Sequence, residues 1–252
     1  MRIVRFKALG KTRYGVLEGT QIVEYSGTPF ATFKRGRKKY PLRQAVLLSP
    51  VIPSKIAAIG LNYRDHAEEM GRAVPLEPYI FLKPISAVCG PDDPIIYPPQ
   101  SSRVEYEGEL AIVIKKRSRC VPPERAWEHI LGYTCLNDVT ARDLQIRDGQ
   151  PIRAKAFDTF CPLGPCIATD IDGNGLEIET FLNGERRQAS NSKHLVVPVE
   201  DIVARVSAVM TLLPGDIIAT GTPAGVGPMQ PGDKVEVRIE GIGSLKNSVI
   251  KL

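Results

Sequence analysis

Apolar and polar residues alternate along the start of the chain in three short segments, and this pattern predicts three strands. The segments are MRIVRF, YGVLEG and QIVEYS, joined by turns that contain glycine and charged residues. The basic run KRGRKK, Lys34 to Lys39, follows them and predicts a solvated turn. These elements together predict a small N-terminal β domain over residues 1–52.

From Lys55 the pattern changes to short, strongly apolar strands with few helices between them. Strands are predicted over KIAAIGLNY, YIFLKP, ELAIVIKK, the start of LGYTCLNDVTARD, LGPCIATD, LEIETFLNGE, DIIATG and KVEVRIEG. Helices are predicted over YRDHAEEMGR, PPERAWEHI and VEDIVARVSAVMTL, where Met210 continues the apolar spacing of the last one. Strands and helices do not alternate regularly. The pattern over residues 53–252 therefore predicts a mixed α/β, β-rich domain with a mostly antiparallel sheet and covering helices.

Composition and charge narrow the class of protein. The chain has 252 residues, 43% of them hydrophobic, and a formal net charge of +5. No apolar stretch approaches the roughly 20 residues of a membrane span, and MRIVRFKALG lacks a signal-peptide core, so a cytoplasmic protein is expected. KRGRKK contains no stacking aromatic residue, so no nucleic-acid partner is expected. The five cysteines form no CxxC pair, and most of them are expected to be buried thiols.

The stretch RVEYEGELAIVI places Glu105, Glu107 and Glu109 at alternate positions of a predicted strand. Alternate residues of a strand share a face, where like charges repel. Either that face is solvated, as on many edge strands, or a positive charge lies beside it. Mg²⁺ and Mn²⁺ prefer carboxylate oxygens. Asp138, two residues after the apolar LGYTCL, offers a third carboxylate for such a metal site.

Other polar residues near these segments favour catalytic chemistry. Asp143 is expected to pair with Arg142 or Arg147 rather than to bind metal. His66 and Glu69 lie one helical turn apart in HAEEM, where a carboxylate can orient an imidazole as a general base. A surface or capping histidine is the alternative.

Two further segments offer groups that can hold an anion. Lys155 lies among apolar residues of PIRAKAFDTF and can offset negative charge. ATGTPAGVGP is a glycine-rich turn whose backbone N–H groups can hold a carboxylate, but it is no P-loop, because no GK[ST] follows.

Seven motifs, taken together and in order, resemble the fumarylacetoacetate hydrolase family. They are IGLNYRDHAEEM, FLKP, YEGELAIVI, LGYTCLNDVTARDLQ, RAKAFDTFCPLGP, LNGE and ATGTPAGVGP. The resemblance covers the chain from about Lys55 to its end, and the first fifty-odd residues resemble the small β appendage of many members. It implies a mixed β-roll catalytic domain with covering helices, a homodimer, and a Mg²⁺ or Mn²⁺ cofactor.

The resemblance also implies roles for particular residues. The metal ligands fall on Glu107, Glu109 and Asp138, while Glu105 stays outside the ligand set. The remaining positions are a catalytic dyad on a lid helix, a lysine beside the metal, and groups that contact substrate or water. These are His66 and Glu69 for the dyad, Lys155 for the lysine, and Tyr63, Arg64, Gln145, Gly221 and Thr222 for the contacts, with Tyr63 and Arg64 at the substrate's distal end.

The substrates implied by the resemblance are small 2-oxo or enol acids. Such an acid can chelate the ion, which stabilises an enolate. The run PIRAKAFDTFCPLGP resembles most the branch of the 2-hydroxyhepta-2,4-diene-1,7-dioate isomerase and its paired 5-oxopent-3-ene-1,2,5-tricarboxylate decarboxylase. Acylpyruvate hydrolysis of the fumarylpyruvate type and oxaloacetate decarboxylation are the next alternatives. Dehydration of sugar-derived 2-oxo acids and a non-catalytic metal-binding protein are lesser ones.

Overall fold

The computed structural model describes residues 1–75, 77 and 79–251. The strands of its first half are β1 (Arg2–Ala8), β2 (Lys11–Glu18), β3 (Gln21–Gly27), β4 (Phe33–Pro41), β5 (Val46–Leu48), β6 (Ile56–Gly60), β7 (Tyr79–Lys83), β8 (Val88–Cys89), β9 (Ile95–Ile96), β10 (Val104–Tyr106) and β11 (Gly108–Ile114). The later strands are β12 (Ile130–Asn137), β13 (Thr140–Ala141), β14 (Cys161–Ala168), β15 (Glu177–Leu182), β16 (Glu185–Asn191), β17 (Ile217–Ala219), β18 (Gly227–Met229), β19 (Lys234–Ile239) and β20 (Gly243–Ile250). The α-helices are α1 (Arg64–Glu69), α2 (Arg142–Asp148), α3 (Ile152–Lys155) and α4 (Val199–Val209).

The N-terminal strands form an antiparallel ribbon that is continuous with the large sheet. β1 pairs with β14 through Arg2↔Ala168 and Ile3↔Ile167. The turn predicted over KRGRKK is wrong, because these residues lie in β4 and pair with β3. β4 is an edge strand with mostly exposed side chains, and positive charge is a common feature of edge strands that must not pair further.

The large sheet is covered on both faces, which explains the unbroken apolar sequence of its central strands. Its order is β4-β3-β2-β1-β14-β12-β11-β17-β6-β7, with β5 beside β1 and β8 beside β14. All seven residues of β11 are buried. Leu110, Ile112 and Ile114 lie in one core cluster, whereas Ala111 and Val113 lie in another. Alternate side chains therefore enter two different cores.

Two smaller sheets and the covering helices complete the fold, which is β-rich as predicted. The sheets have the orders β13-β10-β18 and β16-β15-β19-β20-β9. The helix predicted up to Met210 ends at Val209, and PPERAWEHI forms a 3₁₀-helix, Pro123–His129, instead of an α-helix. Four cysteines are buried as predicted, but Cys120 is exposed. Nowhere in the described ranges does a helix have the length and apolar character needed to cross a membrane.

Candidate metal centre and active-site cavity

Three buried carboxylates converge where β11 and β12 meet. Glu107 lies between β10 and β11, Glu109 is the second residue of β11, and Asp138 directly follows β12. The two strands are antiparallel with Gly108 opposite Asn137, so the start of one lies beside the end of the other. The backbone N–H of Asp138 donates to the carbonyl of Glu107 at 2.8 Å. One oxygen from each carboxylate lies within 4.8 Å of the other two.

Cationic side chains surround this triad. The Lys155 ammonium donates to Glu107 Oε2 at 2.7 Å and also to Asp138 Oδ2. The Lys83 ammonium donates to Asp138 Oδ1 at 2.5 Å, and the Arg142 guanidinium donates to Glu107 Oε1. All three cations are buried. The buried negative charge is thus compensated in the protein itself, as buried charges must be.

The two glutamates differ in their titration because their surroundings differ. Burial disfavours the charged form of Glu107, but Lys155 and Arg142 outweigh burial, so its pKa is lowered. Burial raises the pKa of Glu109 well above its usual value, and the neighbouring charge of Asp138 raises it further. Burial alone would lower the pKa of Lys155, but Asp138 and Glu107 raise it. In the absence of metal, Glu109 therefore holds a proton more readily than Glu107 does.

Glu105 does not share the face of the triad. Its carboxylate accepts from Arg103 at 2.6 Å and from Arg142 at 2.6 Å. β10 and β11 belong to different sheets, so the strand alternation that would align Glu105 with Glu107 stops between them. The expected pairing of Asp143 with an arginine is wrong, because Asp143 accepts from Ser101 and Ser102 instead.

The His66–Glu69 pair forms on α1 as the sequence predicts. His66 Nδ1 lies 3.0 Å from Glu69 Oε2, and Glu69 Oε1 accepts the backbone N–H of Gly225 at 3.0 Å. His66 is buried and lines the same cavity as the triad. Because Nδ1 faces the carboxylate, it carries the proton, and Nε2 is left as the basic nitrogen.

The glycine-rich turn after β17 holds the triad from the other side. The Gly221 N–H donates to Glu109 Oε2 at 2.9 Å, and the Thr222 hydroxyl donates to the carbonyl of Gly108 at 2.9 Å. Gly221 has φ +101°, and a Cβ there would lie 2.8 Å from Asn62 Cβ. Only glycine fits this approach without strain. The N–H of Gly221 thus binds a metal-ligand candidate rather than facing the cavity freely.

The cavity above the triad has a volume of about 240 Å³. Gln145, Lys155 and Thr222 line it together with His66 and the triad, as expected for a common site. The Gln145 side-chain oxygen accepts from Arg142. The apolar part of the wall is formed by Ile59, Leu61, Met70, Pro75, Tyr79, Phe81, Ile146 and Pro151.

The structure does not bring Tyr63 and Arg64 into this cavity. Tyr63 is fully buried, and its hydroxyl has no hydrogen-bond partner among the described residues. Burial, with the charge of Glu109 nearby, raises the pKa of that hydroxyl. Arg64 lines a separate open groove on the outer side of α1. The arginine that lines the cavity at this end is Arg72.

Lys83 and Arg142 contact the triad, although the sequence argument gave neither a role there. A signal for Lys83 is present in YIFLK, because Phe81 and Lys83 share a strand face and are both buried. A lysine on the inward face of an apolar strand needs an acidic partner. Arg142 carries no comparable signal, since its partners lie on β10 and at the break before β11.

Three converging buried carboxylates beside a cavity fit a hard divalent cation. They offer only oxygen atoms, and a ligand set this small leaves coordination positions for water or substrate. Such a set of donors is typical of enzymes that bind a divalent metal through carboxylates. Residues 55–250 match the family model described as fumarylacetoacetate (FAA) hydrolase C-terminal, and residues 1–50 match one described as Rv2993c-like, N-terminal. The chain belongs to the fumarylacetoacetate hydrolase family.

Solved structures similar to this chain include two mycobacterial isomerases. The 5-carboxymethyl-2-hydroxymuconate delta-isomerase of Mycobacterium smegmatis is 45% identical with a TM-score of 0.94, and the match covers 100% of both chains. The 2-hydroxyhepta-2,4-diene-1,7-dioate isomerase of Mycobacterium marinum is 44% identical with a TM-score of 0.93, and the match covers 100% of this chain and 98% of that one. These neighbours support an enzyme within the family.

Two further relatives bear on substrate and metal. The mitochondrial oxaloacetate tautomerase Fahd2a of Rattus norvegicus is 42% identical over 83% of this chain and 71% of its own length. The maleylpyruvate hydrolase of Sphingobium sp. SYK-6, solved with a manganese(II) ion and pyruvate, is 33% identical with a TM-score of 0.82. That match covers 100% of this chain and 99% of the hydrolase.

Proposed function

We propose that this chain is a Mg²⁺- or Mn²⁺-dependent isomerase of small 2-oxo or enol dicarboxylic acids, of the 2-hydroxyhepta-2,4-diene-1,7-dioate isomerase type. The reaction moves the proton of the substrate's 2-hydroxyl group to a carbon, which converts the enol into the 2-oxo acid. One observation carries the proposal: the buried triad and His66, whose Nδ1 lies 3.0 Å from Glu69 Oε2, line the same small cavity. The two isomerase neighbours support the same type of reaction.

The metal would be held by Glu107, Glu109 and Asp138. When bound, it supplies Lewis-acid stabilisation of the negative charge that develops on the substrate's 2-oxo oxygen. Lys155, which touches two of the three carboxylates, adds fixed positive charge beside the same place. Positive charge fixed in a buried site stabilises a developing anion more strongly than it would in water.

The proton transfer falls to His66. Its Nε2 takes the proton of the enol hydroxyl and delivers a proton to carbon, and in the reverse direction it takes the proton from that carbon. Glu69 accepts the Nδ1 hydrogen and stabilises the imidazolium that forms between the two transfers. Glu69 is itself held by the N–H of Gly225, so the base keeps one orientation. The apolar wall that includes Phe81 and Ile146 limits the access of water to the intermediate.

Hydrolysis of an acylpyruvate is a second candidate, favoured by the same pair. A histidine held by a carboxylate can remove a proton from water as readily as from carbon. The two reactions differ in whether a water molecule reaches the substrate carbonyl. Oxaloacetate tautomerisation, the activity in the name of the rat relative, is a proton transfer and belongs with the first candidate.

A substrate panel tests the proposal. The protein is assayed with 2-hydroxyhepta-2,4-diene-1,7-dioate, oxaloacetate and an acylpyruvate, with Mg²⁺, with Mn²⁺ and with EDTA, by ultraviolet absorbance and product NMR in D₂O. The expected result is metal-dependent isomerisation with deuterium incorporated at carbon. Cleavage products from the acylpyruvate alone would favour the second candidate, and full activity in EDTA would refute the metal role.

Asp138→Ala provides the matched test of the triad. Removing one of three carboxylates should abolish metal-dependent turnover. Asp143→Ala is the control, because Asp143 lies five residues further along the chain, outside the cavity, and bonds Ser101 and Ser102. Wild-type turnover in Asp138→Ala would contradict the assigned ligand set.

A further inference from the structure

A closed ring of hydrogen bonds surrounds Gly108, the residue between the two metal-binding glutamates. The Gly108 N–H donates to Gln188 Oε1 at 3.0 Å. Gln188 Nε2 donates to Thr222 Oγ1 at 2.8 Å, and the Thr222 hydroxyl donates to the carbonyl of Gly108 at 2.9 Å. The second hydrogen of Gln188 Nε2 goes to the carbonyl of Pro223 at 2.8 Å. Gln188 is 1% exposed, and its amide uses both of its hydrogens.

The hydrogen bonds of this ring replace those that a neighbouring strand would make to the backbone of Gly108. The N–H of Glu107 donates to Asn137 Oδ1 at 2.9 Å, and its carbonyl accepts from the N–H of Asp138, both on the β12 side. Successive residues of a strand direct their backbone groups to opposite edges, so those of Gly108 point away from β12. On that edge β17 pairs with β11 only from Ala111 to Val113. The side chains of Gln188 and Thr222 therefore supply the hydrogen bonds that a strand would supply at Gly108.

Close packing leaves room only for glycine at this position. A Cβ at Gly108 would lie 2.0 Å from Thr180 Oγ1 and 3.2 Å from Gln188 Oε1. Thr180 and Gln188 face each other in the β15–β16 pair. The ring therefore fastens the five-stranded sheet to the large sheet at the metal ligands.

We infer that Gln188 is a positioning residue for the metal centre, an inference that rests on the proposed metal-dependent function. Gln188 and Thr222 form hydrogen bonds to the N–H and the carbonyl of Gly108. Glu107 and Glu109 are the residues directly before and after Gly108. Because both backbone groups of Gly108 are held, the side chains of its two neighbours keep fixed directions toward the cation. Groups that orient metal ligands contribute to affinity although they never touch the metal.

The inference also gives the Thr222 hydroxyl a specific role. Its hydrogen is committed to the carbonyl of Gly108, and one of its lone pairs accepts from Gln188. Thr222 therefore cannot donate its hydroxyl hydrogen to a substrate while the ring is intact. Of its hydroxyl group, only the remaining lone pair is available to a ligand in the cavity.

Gln188→Leu tests the inference, because leucine fills a similar volume without hydrogen bonds. We expect the Mn²⁺ dissociation constant, measured by the electron paramagnetic resonance of free Mn²⁺, to rise about 10- to 100-fold. In the metal-free protein, the Gly108 amide should also exchange its hydrogen faster by NMR. Asn247→Leu is the control, because Asn247 Nδ2 is buried and donates to Gly90 O at 2.9 Å and Asp93 O at 2.8 Å, outside the cavity. Its Mn²⁺ constant should stay within about twofold of wild type.

Thr222→Val removes the side-chain hydroxyl of the same ring, and it tests the inference if Gln188→Leu does not fold. The double variant should bind Mn²⁺ about as weakly as either single one, since each change opens one shared ring. Wild-type Mn²⁺ affinity in a folded ring variant would overturn this inference alone. A wild-type protein that binds no Mn²⁺ would overturn the proposed metal site as well.

Discussion

Replacing Lys83 by methionine tests whether the buried charges around Asp138 are balanced as the geometry indicates. The Lys83 side chain is fully buried, and its ammonium lies 2.5 Å from Asp138 Oδ1. Methionine has a similar length but no charge. Breaking one partner of a buried ion pair costs about 3–5 kcal/mol, because a charge is left without compensation. Asp138 keeps Lys155 on its other oxygen, so we expect the lower end, about 3 kcal/mol in the free energy of unfolding.

The stability lost in Lys83→Met should depend on whether metal is bound. This dependence distinguishes an effect of charge from an effect of packing. In EDTA, a loss of about 3 kcal/mol with a urea slope of about 3 kcal/mol per M lowers the midpoint by about 1 M. With saturating Mn²⁺, the cation beside Asp138 replaces part of the missing positive charge. The destabilisation should then shrink by about 1 kcal/mol or more, equivalent to roughly fivefold tighter Mn²⁺ binding by the variant. Urea titrations followed by circular dichroism measure both values.

Lys55→Met is the matched control for this experiment. Lys55 donates to the buried carboxylate of Asp216 at 2.6 Å, in a pair that does not line the cavity. Its variant should lose the same stability with and without Mn²⁺. An equal loss for Lys83→Met under both conditions would refute charge balance by Lys83. A loss that grows with Mn²⁺ would show that Lys83 orients Asp138 for the metal instead.

Three further predictions follow from the cavity. Burial raises the pKa of Glu109 above the usual value of 4.5, so the folded metal-free protein holds a proton that the unfolded chain releases. The stability of the metal-free protein should therefore fall as the pH rises from about 4.5. Mn²⁺ binding should displace this proton, so the affinity should weaken as the pH is lowered. Calorimetry in two buffers can measure the protons released on binding. His66→Ala should lower kcat by about 10²–10⁴-fold with unchanged Mn²⁺ affinity, and equal losses in both would contradict its role as base. Arg72→Met should raise KM about tenfold for a dicarboxylic substrate but not for a monocarboxylic one, whereas Arg64→Met, outside the cavity, should change neither.

The sequence places the carboxylates of the triad at the ends of strongly apolar segments, and the family resemblance selects these three as ligands. Glu107 and Glu109 precede the apolar LAIVI, and Asp138 lies two residues after LGYTCL. His66 and Glu69 follow from helical spacing alone. These signals are local, and local patterns are what a single sequence carries.

The parts that could not be predicted depend on tertiary pairing. KRGRKK forms an edge strand because β3 offers it a partner, and nothing within the run itself favours a strand. ERRQASN becomes β16 by pairing with β15, and its one buried polar residue, Gln188, meets Gly108 from a distant part of the chain. Tyr63 and Arg64 lie beside the dyad in sequence, but the direction in which α1 packs places neither in the cavity.

The hydrogen bond from Thr222 to Gly108 spans 114 residues of the chain. At a ribosomal rate of about 5–20 residues per second, the glutamates leave the ribosome roughly 6–23 s before the turn that restrains them exists. A nascent chain in that interval carries carboxylates with no fixed geometry and has little means to select a cation. Loading with the proposed cation would thus be an event of the finished polypeptide, and a truncated translation product would be unable to sequester metal.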